Sequence, residues 1–258
     1  MPASESRLSS GQSGGDIVIV MVGTTHPGNI GAAARVMANM GLARLRLVSP
    51  RLFPHPDAVA RAAGAETVLE SVEVFDSLEA AVGDCQCVIG TTARRRSISW
   101  PLVNSHSAAQ LMLETVPQAN CAVVFGTEAS GLSNEELDLC TAHMHIDVDP
   151  SFPSLNVATA VAIVAYEIRS HSLDTAPEPS VVVEANEGAM TMGEFSQLMT
   201  HFESVLDRTG FLIGPTTKLL RKLRRALLRG VQTREEINIL RGVLTSIDHS
   251  LSKDRSRD

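Results

Sequence analysis

Short, almost wholly apolar runs alternate with helix-like segments through the first two thirds of the chain. Runs of strand length are predicted at residues 16–22, 45–48, 72–75, 87–90, 121–125 and 144–148. Helices are predicted at residues 29–40, 56–63, 77–82, 105–116, 133–140 and 156–169. Because apolar strands of this kind must be covered on both faces, the pattern predicts an α/β fold, a parallel sheet with helices on both faces.

The composition changes at both ends of this pattern. Residues 1–15 are rich in Ser and Gly, which predicts a disordered N-terminal segment ahead of a core domain at residues 16–170. Residues 171–190 carry two prolines and no clear period, which is typical of a linker. Residues 191–258 are helical in pattern, with Ser/Thr-x-x-Glu capping boxes at Thr191 and Thr233, and predict a small all-helical C-terminal domain.

Neither a membrane span nor a metal cluster is expected. No apolar run is long enough to cross a bilayer and the N-terminal residues lack the apolar core of a signal peptide, so we expect a cytoplasmic protein. The four cysteines form no CxxC pair, so buried, unpaired side chains and no metal site are predicted for Cys85, Cys87, Cys121 and Cys140.

Three segments stand where a predicted strand ends and a helix begins: residues 26–35 (HPGNIGAAAR), 124–132 (VFGTEASGL) and 146–156 (IDVDPSFPSLN). Open α/β sheets gather such loops in one crevice, so the three segments predict a single site. In the first segment Gly28 and Gly31 suggest a tight turn at a helix start whose free amides attract an anion, although a purely structural role is the alternative.

The polar residues of these segments each allow two interpretations. Glu128 is either a catalytic group or a carboxylate that stabilises a helix start. Ser154 and Asn156 open a very apolar helix, where capping and ligand contact are compatible. Residues 90–96 (GTTARRR) place Arg94, Arg95 and Arg96 after a small-residue turn, where they either face a phosphate or are solvated.

A concentrated basic helix stands out in a chain whose net charge is −7. Residues 215–230 hold six basic residues and no acidic ones. Five basic residues fall on one helical face, Lys218, Arg221, Lys222, Arg225 and Arg229, and four leucines on the opposite face, Leu219, Leu220, Leu223 and Leu227. The pattern favours a polyanion-binding helix, and the alternatives are a membrane-surface helix and a merely solvated face.

In order and spacing, six segments resemble the TrmJ branch of the SPOUT superfamily of methyltransferases: HPGNIGAAARVMANMGL, GTTARRRSISWP, VFGTEASGLSNEEL, DPSFPSLNVATAVAIVAYEIR, KLLRKLRRALLR and INILRGVLTSI. The resemblance implies S-adenosyl-L-methionine as methyl donor and a ribose 2′-hydroxyl of the tRNA anticodon loop, conventionally nucleotide 32, as acceptor. It also implies a homodimer whose active site uses both subunits, and a trefoil knot in the final part of the core domain.

The resemblance further implies roles for individual residues. The cofactor is expected to lie against Thr91, Thr92, Ala93, Gly126, Ile146, Pro153, Ser154 and Leu155. Arg35 and Asn156 fall on the family's catalytic positions, with Glu128 and Ser154 close by, and Arg94 and Arg96 match an arginine pair that contacts RNA. Thr127 and Ala129 depart from the pattern because the family has arginines there, so some RNA contacts are expected either to be missing or to be supplied by Arg95 and the C-terminal helix.

The implied reaction is an in-line displacement that needs alignment of the hydroxyl with the methyl group and no metal. Arg35 resists deprotonation, so we expect it to orient the ribose or a phosphate and to stabilise negative charge on the oxygen, while Ser154, Asn156 or a water relays the proton. Two alternatives are a non-catalytic RNA-binding protein of the same fold and a methyltransferase of ribosomal RNA. A hydrolase is disfavoured because no GxSxG segment is present.

Overall fold

The computed structural model describes residues 15–92, 102–174, 190–212, 216–231 and 233–254. These residues fall into two compact units, one on each side of residues 175–189. The strands are β1 (Ile17–Val22), β2 (Arg44–Val48), β3 (Glu73–Phe75), β4 (Cys85–Thr91), β5 (Leu102–Asn104), β6 (Asn120–Phe125) and β7 (Ala142–His145). The helices are α1 (Pro27–Asn39), α2 (Pro56–Ala62), α3 (Glu66–Glu70), α4 (Leu78–Ala81), α5 (Ser105–Thr115), α6 (Asn134–Leu137), α7 (Val157–Asp174), α8 (Met192–Arg208), α9 (Thr217–Gly230) and α10 (Arg234–Asp254).

The seven strands found in the described part of the chain form one sheet, in the order β3-β2-β1-β6-β4-β7-β5. Every pairing between neighbouring strands is parallel, which confirms the predicted α/β class. The strands β1, β6, β4 and β7 are successive neighbours. The loops that leave their carboxyl ends therefore meet at the same edge of the sheet.

Strand β2 shows how helices cover both faces of the sheet. Leu45 and Leu47 are buried in the core cluster that α1, α5 and α7 share with the sheet. Arg46, between them, points to the opposite face, where its Nη1 donates to the main-chain oxygen of Ala81 in α4 over 2.7 Å. The two sides of one strand are thus covered by different helices.

Arg46 also makes a partly buried ion pair that the sequence pattern did not indicate. Its Nη1 and Nη2 atoms lie 2.6 and 2.9 Å from the two carboxylate oxygens of Asp84, and only 4% of the Arg46 side chain is exposed. The hydrogen bond from Arg46 outweighs burial and lowers the pKa of Asp84 to about 2. Asn120 donates to the same carboxylate over 2.9 Å, so this pair fastens the start of β6 to β2.

Several element boundaries differ from the predicted ones. The strand predicted at residues 144–148 corresponds to β7, which ends three residues earlier, at His145. Ile146 and Val148 lie beyond the strand and line a cavity. β5 and α3, with three and five residues, were not predicted. Helix α7 continues to Asp174, beyond the predicted start of the linker at residue 171, and the rest of that linker up to residue 189 lies outside the described residues.

The predicted disordered segment lies outside the described residues except for its last member. The Gly15 nitrogen donates to the main-chain oxygen of Val116 over 2.7 Å, so this residue is fixed to the core domain, contrary to the prediction. All four cysteines are buried and free, as predicted. No helix in the described ranges is long and apolar enough to cross a membrane.

The second unit consists of α8, α9 and α10. Both predicted capping boxes are confirmed, since Thr191 with Glu194 and Thr233 with Glu236 exchange side-chain and main-chain hydrogen bonds. The apolar side of α9 is less completely buried than predicted, because Leu219 is 41% exposed. The leucine of α9 that is buried is Leu228, which was not among the four predicted.

Candidate active site

A cavity of about 280 Å³ lies at the carboxyl ends of β4, β6 and β7. It combines apolar side chains, among them Phe125 and Met144, with several hydroxyl groups. Seven of the eight residues predicted to hold a cofactor lie in the described part of the chain. All seven line this cavity: Thr91, Thr92, Gly126, Ile146, Pro153, Ser154 and Leu155. Ala93 lies outside the described residues. The structure thus brings together residues from three separate segments of the chain.

The end of β4 forms one wall of the cavity and is fixed from both sides. The Thr91 hydroxyl donates to the main-chain oxygen of Val124 in β6 over 2.9 Å. The Thr92 nitrogen donates to the main-chain oxygen of Met144 in β7 over 2.9 Å. The Nδ1 atom of His145 lies 3.1 Å from the Thr92 oxygen and therefore carries the hydrogen, because a carbonyl only accepts. His145 lines the cavity but was not predicted as a site residue.

The loop after β6 is a compact turn that requires glycine. A Cβ atom on Gly126 would lie 2.2 Å from the carbonyl carbon of Gly131, and Gly131 itself has a φ of +68°. The Gly131 nitrogen donates to the Thr127 main-chain oxygen over 2.9 Å, and the Ser130 nitrogen donates to the Thr127 hydroxyl over 3.3 Å. Thr127, where the resemblance implies an arginine, therefore stabilises this turn.

Glu128 extends from that turn to the start of α1. Its carboxylate accepts hydrogen bonds from the Thr25 nitrogen (3.1 and 3.2 Å), the Thr25 hydroxyl (3.0 Å) and the His26 nitrogen (3.3 Å). It also accepts one from Nδ2 of Asn29 over 2.9 Å. Helix α1 has no acidic residue in its own first turn, so Glu128 supplies the negative charge that its N-terminus favours.

These contacts change the interpretation of the first loop. The sequence suggested that free amides of this loop attract an anion. In the structure the main-chain nitrogens of Thr25 and His26 bind the carboxylate of Glu128 of the same chain. Burial alone would raise the pKa of Glu128, but hydrogen bonds from Asn29, Thr25 and His26 outweigh it and lower the pKa to about 2. Gly28 and Gly31 lie inside α1, and Gly31 is needed because a Cβ atom there would lie 2.0 Å from the Ala58 oxygen in α2.

Asn29 connects Glu128 to Asn156. The Nδ2 atom of Asn156 donates to Oδ1 of Asn29 over 3.0 Å. Oδ1 of Asn156 accepts from the nitrogens of Ala158 (2.9 Å) and Thr159 (3.3 Å) and so caps the start of α7. Asn29 was not predicted as a site residue. Its only indication in the sequence was an amide side chain in the HPGN turn at a helix start.

The remaining predicted residues have different surroundings. Ser154 is exposed and lines the cavity. Arg35 is exposed on α1, is not among the residues lining the cavity, and has no hydrogen bond or ion pair with any residue that the structure describes. Arg94, Arg95 and Arg96 lie outside the described residues.

The basic side chains of the second unit fall into two groups. Arg234 contacts Glu194 at 2.7 Å, Arg241 donates to Gln197 over 2.9 Å, and Arg208 pairs with Asp248. Four basic residues of α9, by contrast, make no hydrogen bond or ion pair within the described ranges: Lys218, Lys222, Arg225 and Arg229. Arg221, the fifth residue of the predicted basic face, is half-buried.

Comparison with known families matches both units of the chain. Residues 16–166 match the model of the SpoU rRNA Methylase family, and residues 193–256 match the model of the tRNA methyltransferase TrmJ C-terminal domain.

Individual relatives agree with these matches. The tRNA (cytidine/uridine/adenosine-2′-O-)-methyltransferase TrmJ of Pseudomonas aeruginosa is 44% identical over 254 residues, which cover 94% of this chain and 98% of that protein. The corresponding cytidine/uridine enzyme of Sodalis glossinidius is 39% identical, with 91% and 92% covered. The crystal structure of TrmJ from Z. mobilis ZM4 superposes with a TM-score of 0.79 at 34% identity and covers 90% of this chain and 98% of that one. The chain therefore belongs to the SpoU rRNA Methylase family and, within it, to the TrmJ branch.

Proposed function

We propose that this chain transfers the methyl group of S-adenosyl-L-methionine to the 2′-hydroxyl of the cytidine or uridine at nucleotide 32 of tRNA. The observation that carries the proposal is the position of Glu128, which both lines the cavity and anchors the Asn29–Asn156 pair. A binding cavity and a fixed set of polar side chains thus share one wall, as a group-transfer site requires.

The residues of the cavity fit S-adenosyl-L-methionine. The ligand joins a flat adenine ring to a polar ribose, a charged sulfonium and an amino-acid group, and the cavity offers Phe125, Met144 and Leu155 beside the hydroxyls of Ser130 and Ser154. Its volume of about 280 Å³ is close to the lower end of small-molecule sites, which begin at about 300 Å³. When bound, the cofactor supplies an electrophilic methyl group.

Neither Glu128 nor Asn156 suits the role of proton acceptor. With a pKa lowered to about 2 and donors on both oxygens, Glu128 is a weak base that fixes the loop. Asn156 has both amide atoms engaged, with Asn29 and with the start of α7. We therefore assign positioning roles to both residues and leave the proton to the Ser154 hydroxyl or a water beside it.

Arg35 serves as the group that orients the ribose or an adjacent phosphate. Its guanidinium remains charged and has no partner among the described residues, so it is available to an anionic ligand. Because Arg35 does not line the cavity of its own chain, we propose that it acts on the cavity of the second subunit of a homodimer. This assignment accounts for an exposed arginine at a catalytic position of the family.

The second unit supplies tRNA affinity in this proposal. The four basic residues of α9 without partners among the described residues support this role, since a lysine or arginine held in an internal ion pair has less charge to offer a phosphate. We assign residues 16–170 to catalysis, residues 171–190 to a linker and residues 191–258 to tRNA binding, with Arg94, Arg95 and Arg96 as further RNA contacts. Because the substrate is tRNA, we place the enzyme in the cytoplasm, which fractionation would test.

The decisive experiment identifies the product. Purified protein is incubated with labelled S-adenosyl-L-methionine and tRNA transcripts that carry C, U or A at nucleotide 32, and the RNA is digested to locate the methylated nucleoside. We expect 2′-O-methylcytidine or 2′-O-methyluridine at that position. The transcript with A is included because the Pseudomonas aeruginosa relative is named for adenosine as well and the Sodalis glossinidius relative is not.

The same assay tests the alternatives. Label in ribosomal RNA but not in tRNA would favour a ribosomal methyltransferase, which the description of the first family model makes a specific alternative. Bound tRNA without bound cofactor in calorimetry would favour a non-catalytic RNA-binding protein.

We also propose that the core domain contains the trefoil knot of the SPOUT superfamily. The strand order supports it, because β7 lies between β4 and β5, which both precede it in the sequence. When a late strand is inserted between two earlier ones, the end of the chain can pass through a loop formed earlier, which is how a knot arises. Pulling the chain from both ends in an optical trap would test the knot, since a knotted chain extends less than its full contour length and an unknotted chain reaches it.

A further inference from the structure

Away from the cavity, two histidines and a glutamate meet where α5 begins and α7 ends. His106, Glu167 and His171, here called the two-histidine site, each offer a ligand atom, and these atoms lie within 4.8 Å of one another. The His106 side chain is 65% exposed, and those of Glu167 and His171 are 26% and 19% exposed. The site is therefore accessible to a small solute and still partly enclosed by protein.

The hydrogen on the His171 ring is fixed by its surroundings. Nδ1 of His171 lies 2.9 Å from the main-chain oxygen of Glu167, one turn earlier in α7. Because that oxygen only accepts, the hydrogen of the neutral ring sits on Nδ1, and Nε2 carries a lone pair.

The Glu167 side chain faces the other nitrogen of the His106 ring. Nδ1 of His106 lies 3.5 Å from Oε2 of Glu167, so in the tautomer with the hydrogen on Nδ1 that hydrogen faces the carboxylate and Nε2 carries a lone pair. A histidine whose second nitrogen faces a carboxylate is the usual arrangement around a protein-bound metal, since it sets both the tautomer and the basicity of the ligand.

The two Nε2 atoms then face each other. They lie 3.3 Å apart, and the ring centroids are 4.2 Å apart in an edge-on arrangement. A hydrogen on one of the two Nε2 atoms bridges them as a hydrogen bond at this distance, and a metal ion bound between them takes the place of that hydrogen. Nitrogen ligands at 2.0–2.1 Å from a tetrahedral zinc ion are separated by about 3.3 Å, so the distance matches the edge of such a coordination shell.

The packing below the site holds the two rings in place. Ala108 and Met112 of α5 and Val164 and Ile168 of α7 belong to the same core and are fully buried. His106 and His171 therefore belong to two helices with little freedom to separate. A ligand set on rigid helices loses little conformational freedom when it binds a metal.

We propose that the two-histidine site binds a divalent transition-metal ion, of which zinc is the representative, through Nε2 of His106 and Nε2 of His171. Glu167 acts as a positioning residue that orients His106, and water completes the coordination. Imidazole nitrogens favour ions of this class over calcium or magnesium. The ion is not catalytic, and it joins the start of α5 to the end of α7. No metal was predicted from the sequence, because the cysteines form no CxxC pair; His106 and His171 are 65 residues apart and form no local pattern.

The test is a calorimetric titration of the untagged, chelator-treated full-length protein with zinc chloride at pH 7.5. We expect saturable binding at about one ion per chain, and H106A and H171A each to weaken it by at least about tenfold. E167Q is expected to weaken binding by about tenfold through loss of orientation. H249A, which removes an exposed histidine of α10, is the matched control and binds like the parent.

A second measurement uses the same proteins and does not depend on activity. Zinc is expected to raise the melting temperature of the parent and of H249A but not of H106A, because an ion that binds only the folded state stabilises it. H106Q and H171Q repeat the comparison if an alanine variant fails to fold. Equal zinc affinity in the parent and in the His106 and His171 variants would overturn the proposal. So would the absence of saturable binding in the parent, which would leave a shared proton as the cation between the two rings.

Discussion

Glu128 accepts a hydrogen bond from Asn29 across 2.9 Å, although 99 residues of sequence separate them. The bond joins the loop after β6 to the first turn of α1. Since Asn29 in turn binds Asn156, one carboxylate fixes three loops that come from distant parts of the chain. This relationship makes the geometry of the proposed active site depend on a residue that need not touch the substrate.

The first prediction concerns this carboxylate. Replacing one oxygen in E128Q puts an NH2 group beside the N–H groups of Thr25, His26 and Asn29, which only donate, so we expect kcat to fall by about 10–100-fold through misalignment. The folded-state pKa of about 2 lies below the ordinary 4.5, so ionised Glu128 adds stability above pH 4.5 that is lost as the pH falls toward 2.

Urea unfolding between pH 7 and pH 2.5 measures the second effect. The parent should lose stability more steeply than E128Q over the acidic part of this range. Parallel curves for the two proteins, or unchanged kcat in E128Q, would contradict the assigned role.

The second prediction concerns Arg35. R35A should be nearly inactive, and R35K should recover little activity, because an ammonium lacks the planar fork that aligns two oxygens. High activity in R35K would show that the fork is not needed.

Whether Arg35 acts across a dimer can be tested by complementation. R35A and a cavity variant, G126V, are co-expressed with different tags and purified as a mixed dimer. If Arg35 serves the partner's cavity, one of the two sites is complete and about half the parental activity returns. If it serves its own chain, neither site is complete and the mixed dimer is inactive.

The third prediction concerns His145, whose Nδ1 donates to the Thr92 oxygen at the cavity wall. H145A removes this bond and should weaken S-adenosyl-L-methionine binding by about tenfold, the equivalent of one hydrogen bond. H145N keeps an N–H near the same place and should bind within about threefold of the parent. Calorimetry gives both affinities, and equal binding by H145A and the parent would rule out a positioning role.

The fourth prediction concerns the basic face of α9. The quadruple variant K218Q/K222Q/R225Q/R229Q should bind tRNA more weakly, and its affinity should depend less on salt, with the slope reduced by about 0.7–0.9 for each phosphate that these residues neutralise in the parent. Cofactor affinity should be unchanged. The double variant R234Q/R241Q is the control, since these arginines already have partners within the second unit. A salt slope equal to that of the parent would place the tRNA-binding surface elsewhere.

The elements with a regular pattern could be predicted from the sequence alone. The apolar runs predicted the parallel sheet because a strand buried on both faces must be apolar throughout. The capping boxes at Thr191 and Thr233 predicted helix starts correctly because their hydrogen bonds are local. The cavity residues came from the resemblance, and those in the described part do line one cavity.

Long-range contacts were decided by the tertiary structure. No local pattern pairs Glu128 with Asn29, Arg46 with Asp84 or His106 with His171, because each pair meets only after the strands and helices pack. The sequence predicted that the first loop attracts an anion but could not show that Glu128 of a distant loop occupies that place, for the same reason. The sequence by itself determined most of the strands and helices, though not β5 or α3, because these choices depend largely on local periodicity. Only the tertiary structure decided which polar groups neutralise each other and which, like Arg35, remain available, because charge pairing depends on proximity in space.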